Sequence, residues 1–385
     1  MPFYHKLGSI PQKRHTQFKS PNGALYREEV MGTRGFSGIQ SILYHIHAPT
    51  VVLKSESIAE EQLQILDQLN LEHHHIKTDG FKSSGDPITS REWLLANKQV
   101  KMGLATPDSK MNYFYRNASC DEVIFVHYGE GRLLTQFGNL DFKPGDYVVI
   151  PVGVTYQIEV KSGDVRFLVI ESDGRIEIPK RYRNEYGQLL EHSPFCERDI
   201  RVPEELTPRD EKGEFEVRVR QAGRLNRLTL QYHPFDVVGW DGYLYPWIFN
   251  ISDFEPITGR IHQPPPVHQT FYSDGFVICS FVPRLYDYHP LSIPVPYNHS
   301  NVNSDEVLYY VEGDFMSRKG IKSGSFTHHP AGLPHGPHPG TVEKSIGAKE
   351  TKELAVMLDT FAPLYLTKRG AELCDHSYVT SWIGA

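Results

Sequence analysis

The chain has 385 residues and a formal net charge of -7, so it is long enough for two domains of roughly 150 to 200 residues and has no overall attraction for polyanions. No run of Lys and Arg interleaved with aromatics occurs, which excludes nucleic acid as an expected partner. The 31 glycines and 27 prolines favour a turn-rich β architecture with few helices.

Cysteine usage and hydropathy bear on the cellular compartment. The four cysteines are scattered and form no C-x-x-C pair, which disfavours a structural zinc site or a disulfide framework. The N-terminus lacks a basic segment followed by an apolar one, and no apolar stretch is long enough to span a bilayer. We therefore expect reduced thiols, no membrane association and a cytoplasmic location.

Residues 1–112 carry short β-like runs and are predicted to form an N-terminal segment that wraps the rest of the chain or contributes to an interface. One helix is predicted within this segment, after a possible Ser57 cap. The helical spacing that predicts it places on one side Leu63, Leu66 and Leu69.

Three adjacent histidines, His73, His74 and His75, resemble a metal-binding sequence. On an extended or loop backbone, successive side chains point in different directions, so the three rings cannot all face one ion. We expect this triplet to form a solvated surface turn.

Strands dominate from Tyr113 onward, where glycine and proline turns divide short runs rich in β-branched and aromatic residues. The predicted strands are 123–127, 147–150 and 166–170. Closely spaced strands with turn signals indicate a β-sandwich or barrel.

The predicted domain organisation has three parts. Residues 1–112 form the N-terminal segment, residues 113–214 form a first barrel with a charged, proline-containing linker from about 172, and residues 215–385 form a second barrel. A buried strand is predicted within the last part, at 354–361.

An internal repeat relates the two predicted barrels. The pattern Asn117-x4-Glu122-x6-Gly129 recurs as Asn301-x4-Glu306-x6-Gly313, and Gly145-x5-Pro151-x-Gly153 recurs as Gly324-x5-Pro330-x-Gly332. A repeat of this kind indicates two copies of one structural unit.

The two copies differ at the positions that could hold a metal ion. The first copy has Tyr115 where the second has His299, and Tyr156 where the second has His335. A single carboxylate, Glu122, with two phenols is a poor site for a divalent ion, so the first barrel is predicted to be structural.

These patterns resemble the two motifs of the cupin superfamily, with departures at residues 293, 301 and 339, which are Ile, Asn and Pro. Because Asn301 replaces a second histidine of the first motif, the predicted ligand set is His299, Glu306 and His335. Two imidazoles and one carboxylate leave coordination positions open, as in non-haem Fe(II) oxygenases, although the same ligands accept Mn, Ni or Co. The alternative is a barrel whose histidines only form hydrogen bonds within the core.

Beyond this triad the chain resembles the homogentisate 1,2-dioxygenase family. The resemblance rests on residues 233–246, 281–284 and 296–301, and on His329 followed by 334–337. It implies an all-β dominated fold of two cupin (jelly-roll) β-barrels with few helices, in which the N-terminal barrel is degenerate. It also implies a homo-oligomer, a trimer or a hexamer, whose subunit contacts help to form the site.

The resemblance implies a role for each matching residue. His299, Glu306 and His335 match the iron ligands, and His262 matches a catalytic histidine that takes the phenolic proton of the substrate. Such a role suits an imidazole, because it titrates near neutral pH. The substrate-binding positions are matched by Tyr297, His329 and His335.

Several alternatives stay open at the level of sequence. Asp305 competes with Glu306 as the carboxylate ligand, although the spacing to Gly313 favours Glu306. The role of His262 could fall to another histidine in the same region, namely His268, His289, His328 or His338. An apolar pocket for the ring could be lined by Tyr297, Phe271 and Trp247.

The function that this resemblance implies is an Fe(II)-dependent dioxygenase. It would use O2 to open the ring of homogentisate (2,5-dihydroxyphenylacetate), giving maleylacetoacetate in tyrosine and phenylalanine catabolism. Two alternatives are a ring-cleaving cupin dioxygenase for another hydroxylated aromatic acid and a non-catalytic, metal-binding bicupin.

Overall fold

A computed structural model of the chain describes residues 2–66, 70–161, 163–263, 265–313, 315 and 320–383. Strands dominate this part of the chain, and its two α-helices are short: α1 (Thr341–Ser345) and α2 (Lys368–Glu372). The described 3-10 turns are Lys180–Tyr182, Glu197–Asp199, Ile251–Asp253, Pro265–His268 and Tyr378–Thr380.

The strands of the N-terminal half, in chain order, are β1 (His5–Gly8), β2 (Arg27–Gly32), β3 (Gln40–His45), β4 (Val52–Glu60), β5 (His74–Ile76), β6 (Glu92–Ala96), β7 (Val100–Ala105), β8 (Phe114–Asn117), β9 (Asp121–Tyr128), β10 (Gly131–Thr135), β11 (Gly138–Phe142), β12 (Asp146–Ile150), β13 (Thr155–Val160) and β14 (Arg166–Ser172).

The later strands are β15 (Ile200–Arg201), β16 (Lys212–Gln221), β17 (Arg224–Tyr232), β18 (Val237–Gly242), β19 (Trp247–Asn250), β20 (Gln269–Ser273), β21 (Phe276–Phe281), β22 (Arg284–Leu285), β23 (Asp305–Glu312), β24 (Phe326–His329), β25 (Glu350–Thr351), β26 (Leu354–Thr360) and β27 (Tyr365–Leu366).

These strands form four larger sheets and one two-stranded ladder. The eight-stranded sheet has the order β15-β19-β12-β9-β14-β7-β6-β27, and the seven-stranded sheet has the order β11-β10-β13-β8-β16-β17-β4. The second copy of the repeat lies in a six-stranded sheet, β20-β21-β26-β23-β24-β5. The remaining strands form β1-β18-β3-β2 and the β22-β25 ladder. The expected β-dominated fold with few helices is confirmed.

The internal repeat is visible in strand order and in backbone conformation. The first copy contains the neighbours β12-β9-β14, and the second contains the neighbours β24-β23-β26 in the same chain order. The turns before β12 and β24 use Gly145 (φ 85°) and Gly324 (φ 82°), a conformation that residues with a Cβ rarely adopt. The strands predicted at 123–127, 147–150, 166–170 and 354–361 correspond to β9, β12, β14 and β26.

Strands from different parts of the sequence are interleaved between the sheets. From the N-terminal segment, β5 joins the six-stranded sheet, whereas β6 and β7 join the eight-stranded sheet. Strands β16 to β19 pair within sheets that also hold strands of the first copy or the N-terminal segment. The predicted boundaries at 112 and 214 stay predictions.

The helix predicted after Ser57 is wrong. Ser57 lies within β4, whose backbone pairs with β17, and the N–H of Leu66 bonds to the carbonyl of Leu366 at 2.9 Å. Leu63 is not helical, and Leu69 lies outside the described residues. Long-range strand pairing satisfies the backbone here and overrides a weak local periodicity.

The core is rich in aromatic residues. Trp247 and Phe271, which were candidates to line a ligand pocket, are completely buried and pack edge to face with ring centroids 5.2 Å apart. Phe271 also packs edge to face against Tyr147 of β12, at 5.4 Å. Each such side chain contributes about 1.5 to 3 kcal/mol through burial, so these contacts tie the second copy to the first.

No helix among the described residues is long and apolar enough to cross a membrane. The cytoplasmic location stays a prediction.

Candidate metal centre

Three side chains of the second copy converge on one point. Ligand atoms of His299, Glu306 and His335 all lie within 4.8 Å of one another. One carboxylate oxygen of Glu306 lies 3.4 Å from His299 Nε2, and the other lies 3.4 Å from His335 Nε2. The three side chains predicted as metal ligands therefore form one cluster.

Backbone pairing brings the two histidines together. The N–H of His299 bonds to the carbonyl of His335 at 2.8 Å, and the reverse bond is 2.9 Å long. Glu306 enters from β23, where it pairs with His329 of β24 and Asp359 of β26. In the first copy, Tyr115 pairs with Tyr156 in the same way. The strand register of the two copies therefore agrees with the alignment of their sequences.

The neighbouring carboxylate, Asp305, has a different role. Its Oδ1 accepts the N–H of Ala331 at 2.8 Å, and its Oδ2 accepts the N–H of Leu364 at 2.8 Å. The equivalent residue of the first copy, Asp121, accepts the N–H groups of Val152 and Ile176. Because adjacent residues of a strand point to opposite faces, Glu306 faces the histidines while Asp305 holds two loops.

The cluster favours an ionised carboxylate. Burial acts to raise the pKa of Glu306, but the surrounding imidazoles of His299, His329 and His335 hold that pKa well below its usual range. Nε2 of His335 is buried and has no hydrogen-bond partner among the described residues. An orphaned imidazole nitrogen beside a carboxylate is what a metal ion would satisfy, and this donor set suits Fe(II) and its neighbours in the first transition series.

His329 lies behind the carboxylate. Its Nδ1 donates to Oε1 of Glu306 at 2.9 Å, and its Nε2 lies 3.1 Å from the hydroxyl of Tyr378, which donates to it. The ring is fully buried and stacks on His335 with centroids 4.5 Å apart. His329 therefore orients the carboxylate, as hydrogen-bond partners of metal ligands do.

A cavity of about 180 Å³ opens beside the cluster. The described residues that line it include His262, Tyr297, His299 and Glu306, but neither His329 nor His335. His262 is exposed, and its ring lies 5.0 Å from that of Tyr297. The structure thus brings the predicted catalytic histidine and Tyr297 to the cavity and places His329 behind the ligands.

Sequence reasoning missed the partner of His262. Oδ2 of Asp287 lies 3.6 Å from Nδ1 of His262, and its Oδ1 accepts the N–H of Gly259 at 3.3 Å. A lone aspartate outside both motifs gave no signal in the sequence. Of the alternative histidines, His268 lines the same cavity and His289 lines an adjoining hollow.

Asn301 does not take a ligand position. Its side-chain amide lies 3.5 Å from Oδ1 of Asp359, which also lines the cavity. Burial, together with the charge of Glu306 and against that of His299, raises the pKa of Asp359 to about 7.

The prediction that His73 to His75 form a solvated turn is wrong. All three side chains are buried, and β5 pairs with β24 directly behind the cluster. His74 Nδ1 lies 3.2 Å from His328 Nδ1, and His328 in turn bonds to Asp305 at 3.0 Å. Pairing between residues some 250 positions apart leaves no local signal, so the sequence could not indicate this burial.

In the first copy, a guanidinium group lies where the second copy would bind a metal ion. Arg91 is buried and bonds through Nη1 to Glu122, the equivalent of Glu306. Its Nη2 donates to the hydroxyl of Tyr156 at 3.1 Å, and its Cζ lies 5.8 Å from the centroid of Tyr115. Sequence analysis missed Arg91, which precedes the first motif by some 24 residues.

Comparison with known proteins identifies the family of this chain. The family model described as the N-terminal part of homogentisate 1,2-dioxygenase matches residues 6–251. A protein of Saccharolobus solfataricus, provisionally named a dioxygenase, is 41% identical over 99% of each chain.

Relatives named homogentisate 1,2-dioxygenase are more distant. That of Bradyrhizobium diazoefficiens is 28% identical over 73% of this chain and 65% of its own, so the match spans just under two thirds of that relative. That of Rhodopseudomonas palustris is 27% identical over 98% of this chain and 90% of its own.

The chain also has similarity to solved structures at low sequence identity. A cupin-2 barrel protein of Leptotrichia buccalis is 10% identical, with a TM-score of 0.36, over 79% of this chain and all of its own. A variant of the oxalate decarboxylase of Bacillus subtilis is 12% identical, with a TM-score of 0.32, over 82% of this chain and 79% of its own. By the family model and the relative in Saccharolobus, the chain belongs to the homogentisate 1,2-dioxygenase family.

Proposed function

We propose that the chain is an Fe(II)-dependent dioxygenase that opens the ring of homogentisate (2,5-dihydroxyphenylacetate) to give maleylacetoacetate in tyrosine and phenylalanine catabolism. The observation that carries this proposal is the cluster of His299, Glu306 and His335, because two of its members, His299 and Glu306, line a cavity that His262 also lines. Membership of a dioxygenase family supports the reaction class.

Three residues would hold the ion, namely His299, Glu306 and His335. The buried, unpartnered Nε2 of His335 supports this assignment, as does the ionised state of Glu306. Bound there, Fe(II) would bring the phenol and O2 together and mediate electron transfer between them.

The chain's own residues account for orientation and proton transfer. His329, anchored by Tyr378, fixes the direction of the Glu306 carboxylate. His262 takes the phenolic proton, and Asp287 holds its ring by facing Nδ1. Nε2 of His262 is then the nitrogen available to the substrate.

The reaction balances without another reductant or oxidant. One carbon–carbon bond of the ring is broken, both oxygen atoms of O2 enter the product, and one proton is released. Because that proton originates from a ring hydroxyl, a base at the cavity is required, which is the role assigned to His262.

We also propose that the active form is a homo-oligomer, a trimer or a hexamer. Several large apolar side chains in and beside the hollow that adjoins the cavity are exposed, as expected of an interface: Ile261, Leu285, Tyr288, Leu291 and Ile293. Light scattering of the purified protein tests this, and a monomer at micromolar concentration would contradict it.

The test of the function is anaerobic reconstitution with Fe(II), followed by addition of homogentisate and air-saturated buffer. O2 uptake and appearance of the yellow ring-opened product are expected. Reaction only with a different hydroxylated aromatic acid would retain the chemistry and overturn the substrate.

The alternative of a non-catalytic, metal-binding bicupin is tested separately. Nitric oxide added to the Fe(II) protein gives an iron-nitrosyl signal in electron paramagnetic resonance only if a coordination position is open. Absence of that signal in a protein that retains its iron would favour the non-catalytic alternative.

A further inference from the structure

Among the described residues that line the cavity beside the cluster, one side chain carries a permanent positive charge. Arg284 of β22 is the only Arg or Lys among those residues, and it is partly buried. The rest of the lining includes a carboxylate-rich side, with Glu306, Asp359 and Glu353, and an apolar wall formed by Phe281, Val282, Val295, Leu308, Phe315 and Met357.

The guanidinium of Arg284 has few partners of its own. Among the described residues, no carboxylate lies within the 4.0 Å of an ion pair with it. Its Nη1 makes one long bond, 3.4 Å, to the carbonyl of Leu285, and its Cζ lies 5.7 Å from the centroid of the Tyr286 ring. Burial lowers its pKa, and the more distant charges of Asp287 and Glu353 oppose that effect.

A second polar group in the same lining is also unsatisfied. His268 is only 5% exposed, its ring stacks on Phe281 with centroids 4.6 Å apart, and its Nδ1 has no hydrogen-bond partner among the described residues. A buried polar atom without a partner destabilises the fold, so its presence beside a cavity points to a ligand atom.

His268 is a neutral imidazole at physiological pH. Burial, together with the charges of Arg284 and His262, lowers its pKa to about 3, and the backbone of Ser280 acts in the opposite direction. One nitrogen of a neutral imidazole carries a lone pair, and Nδ1, which has no partner among the described residues, is the nitrogen to which a ligand hydroxyl could donate.

Resting on the proposed function, we propose that Arg284 binds the carboxylate of the aromatic acid while His268 Nδ1 accepts a hydrogen bond from a ring hydroxyl. The planar guanidinium matches the two oxygens of a carboxylate, and the apolar wall suits a ring between the two polar groups. The pair would select aromatic acids that carry a hydroxyl over their neutral analogues.

Binding rather than turnover provides the test. Calorimetric titration of the Fe(II)-loaded protein without O2 compares homogentisate with its neutral methyl ester. In Arg284→Gln, the dissociation constant for the acid is expected to rise about 10- to 100-fold, and that for the ester less than about 3-fold. Arg284→Lys should recover part of the loss, and the exposed Arg224→Gln is the control and should change neither constant.

His268→Phe keeps the ring stack and removes the acceptor, so it should weaken acid and ester alike, by about 3- to 10-fold. Equal effects of Arg284→Gln on acid and ester, or no binding of the acid to the wild-type protein, would overturn the assignment of Arg284. Unchanged affinities in His268→Phe would overturn that of His268. If acids bind in an Arg284-dependent manner but no O2 is consumed, the proposed function fails while this inference stands.

Discussion

Glu122 and Glu306 occupy equivalent positions in the two copies of the repeat, but different groups lie against their carboxylates. In the first copy, Glu122 pairs with Glu171 of β14 across the sheet and bonds to the guanidinium of Arg91. In the second, Glu306 pairs with Asp359 of β26 and faces two imidazoles. The first copy thus carries its positive charge on a covalently attached side chain, whereas we propose that the second copy binds a metal ion.

Replacing Arg91 should destabilise the protein strongly. Arg91→Met leaves the buried Glu122 carboxylate without its cation and with the hydroxyl of Tyr156 as a hydrogen-bond donor, which costs about 3 to 5 kcal/mol of unfolding free energy, measured by urea denaturation. The control is Arg132→Gln, which removes an exposed pair with Asp141 and should cost at most about 1 kcal/mol. A cost for Arg91→Met no larger than that of the control would show that the guanidinium does not neutralise Glu122.

Metal content should separate the two adjacent carboxylates of β23. Glu306→Gln removes a ligand and should abolish iron binding, while Asp305→Asn should keep the iron but lower the melting temperature, because Asp305 holds two backbone N–H groups. Elemental analysis after reconstitution should find about one iron per wild-type chain, since the first copy lacks both imidazoles. Loss of iron in Asp305→Asn with full retention in Glu306→Gln would reverse the assignment.

Proton transfer by His262 can be tested through its partner. His262→Ala should lower kcat by about 10²-fold or more while iron content stays constant. Asp287→Asn should lower kcat less than His262→Ala does, with iron content and KM unchanged, because the carboxylate that holds the His262 ring is lost. An unchanged kcat in Asp287→Asn would show that Asp287 does not position His262.

The stability of the N-terminal segment should depend on pH through His45. Burial lowers its pKa, but hydrogen bonds to Asp236 and Glu29 dominate and raise it to about 9. A raised pKa stabilises the fold below the unfolded value of about 6.5, and the effect is lost as pH rises through about 9. The stability difference between wild type and His45→Gln, about 3 kcal/mol at most, should therefore shrink from pH 6 to pH 9.5. A difference independent of pH would contradict this.

The motifs predicted the metal cluster because its geometry is local. The glycines that follow β9 and β23, and those in the turns before β12 and β24, give both copies the same backbone, and the match to the two cupin motifs singled out His299, Glu306 and His335. His262 was predicted from the family resemblance, and it lines the cavity.

What the sequence could not predict depends on pairing between distant residues. The burial of His73 to His75 follows from β5 joining β24, and the guanidinium of Arg91 reaches Glu122 from outside both motifs. The failed helix after Ser57 has the same origin, since β4 pairs with β17. Asp287 lies outside every segment that carries the resemblance, and Arg284 lies within one of them, 281–284, but the contacts of both become visible only when the cavity is assembled.

The stoichiometry of O2 uptake by the Fe(II)-loaded protein is the decisive measurement for the proposed reaction. With homogentisate, one O2 should be consumed for each molecule of substrate, maleylacetoacetate should form, and no hydrogen peroxide should appear, while Glu306→Gln should be inactive. Iron-loaded protein that leaves homogentisate unchanged, or that oxidises it with release of hydrogen peroxide and an intact ring, would contradict a ring-cleaving dioxygenase.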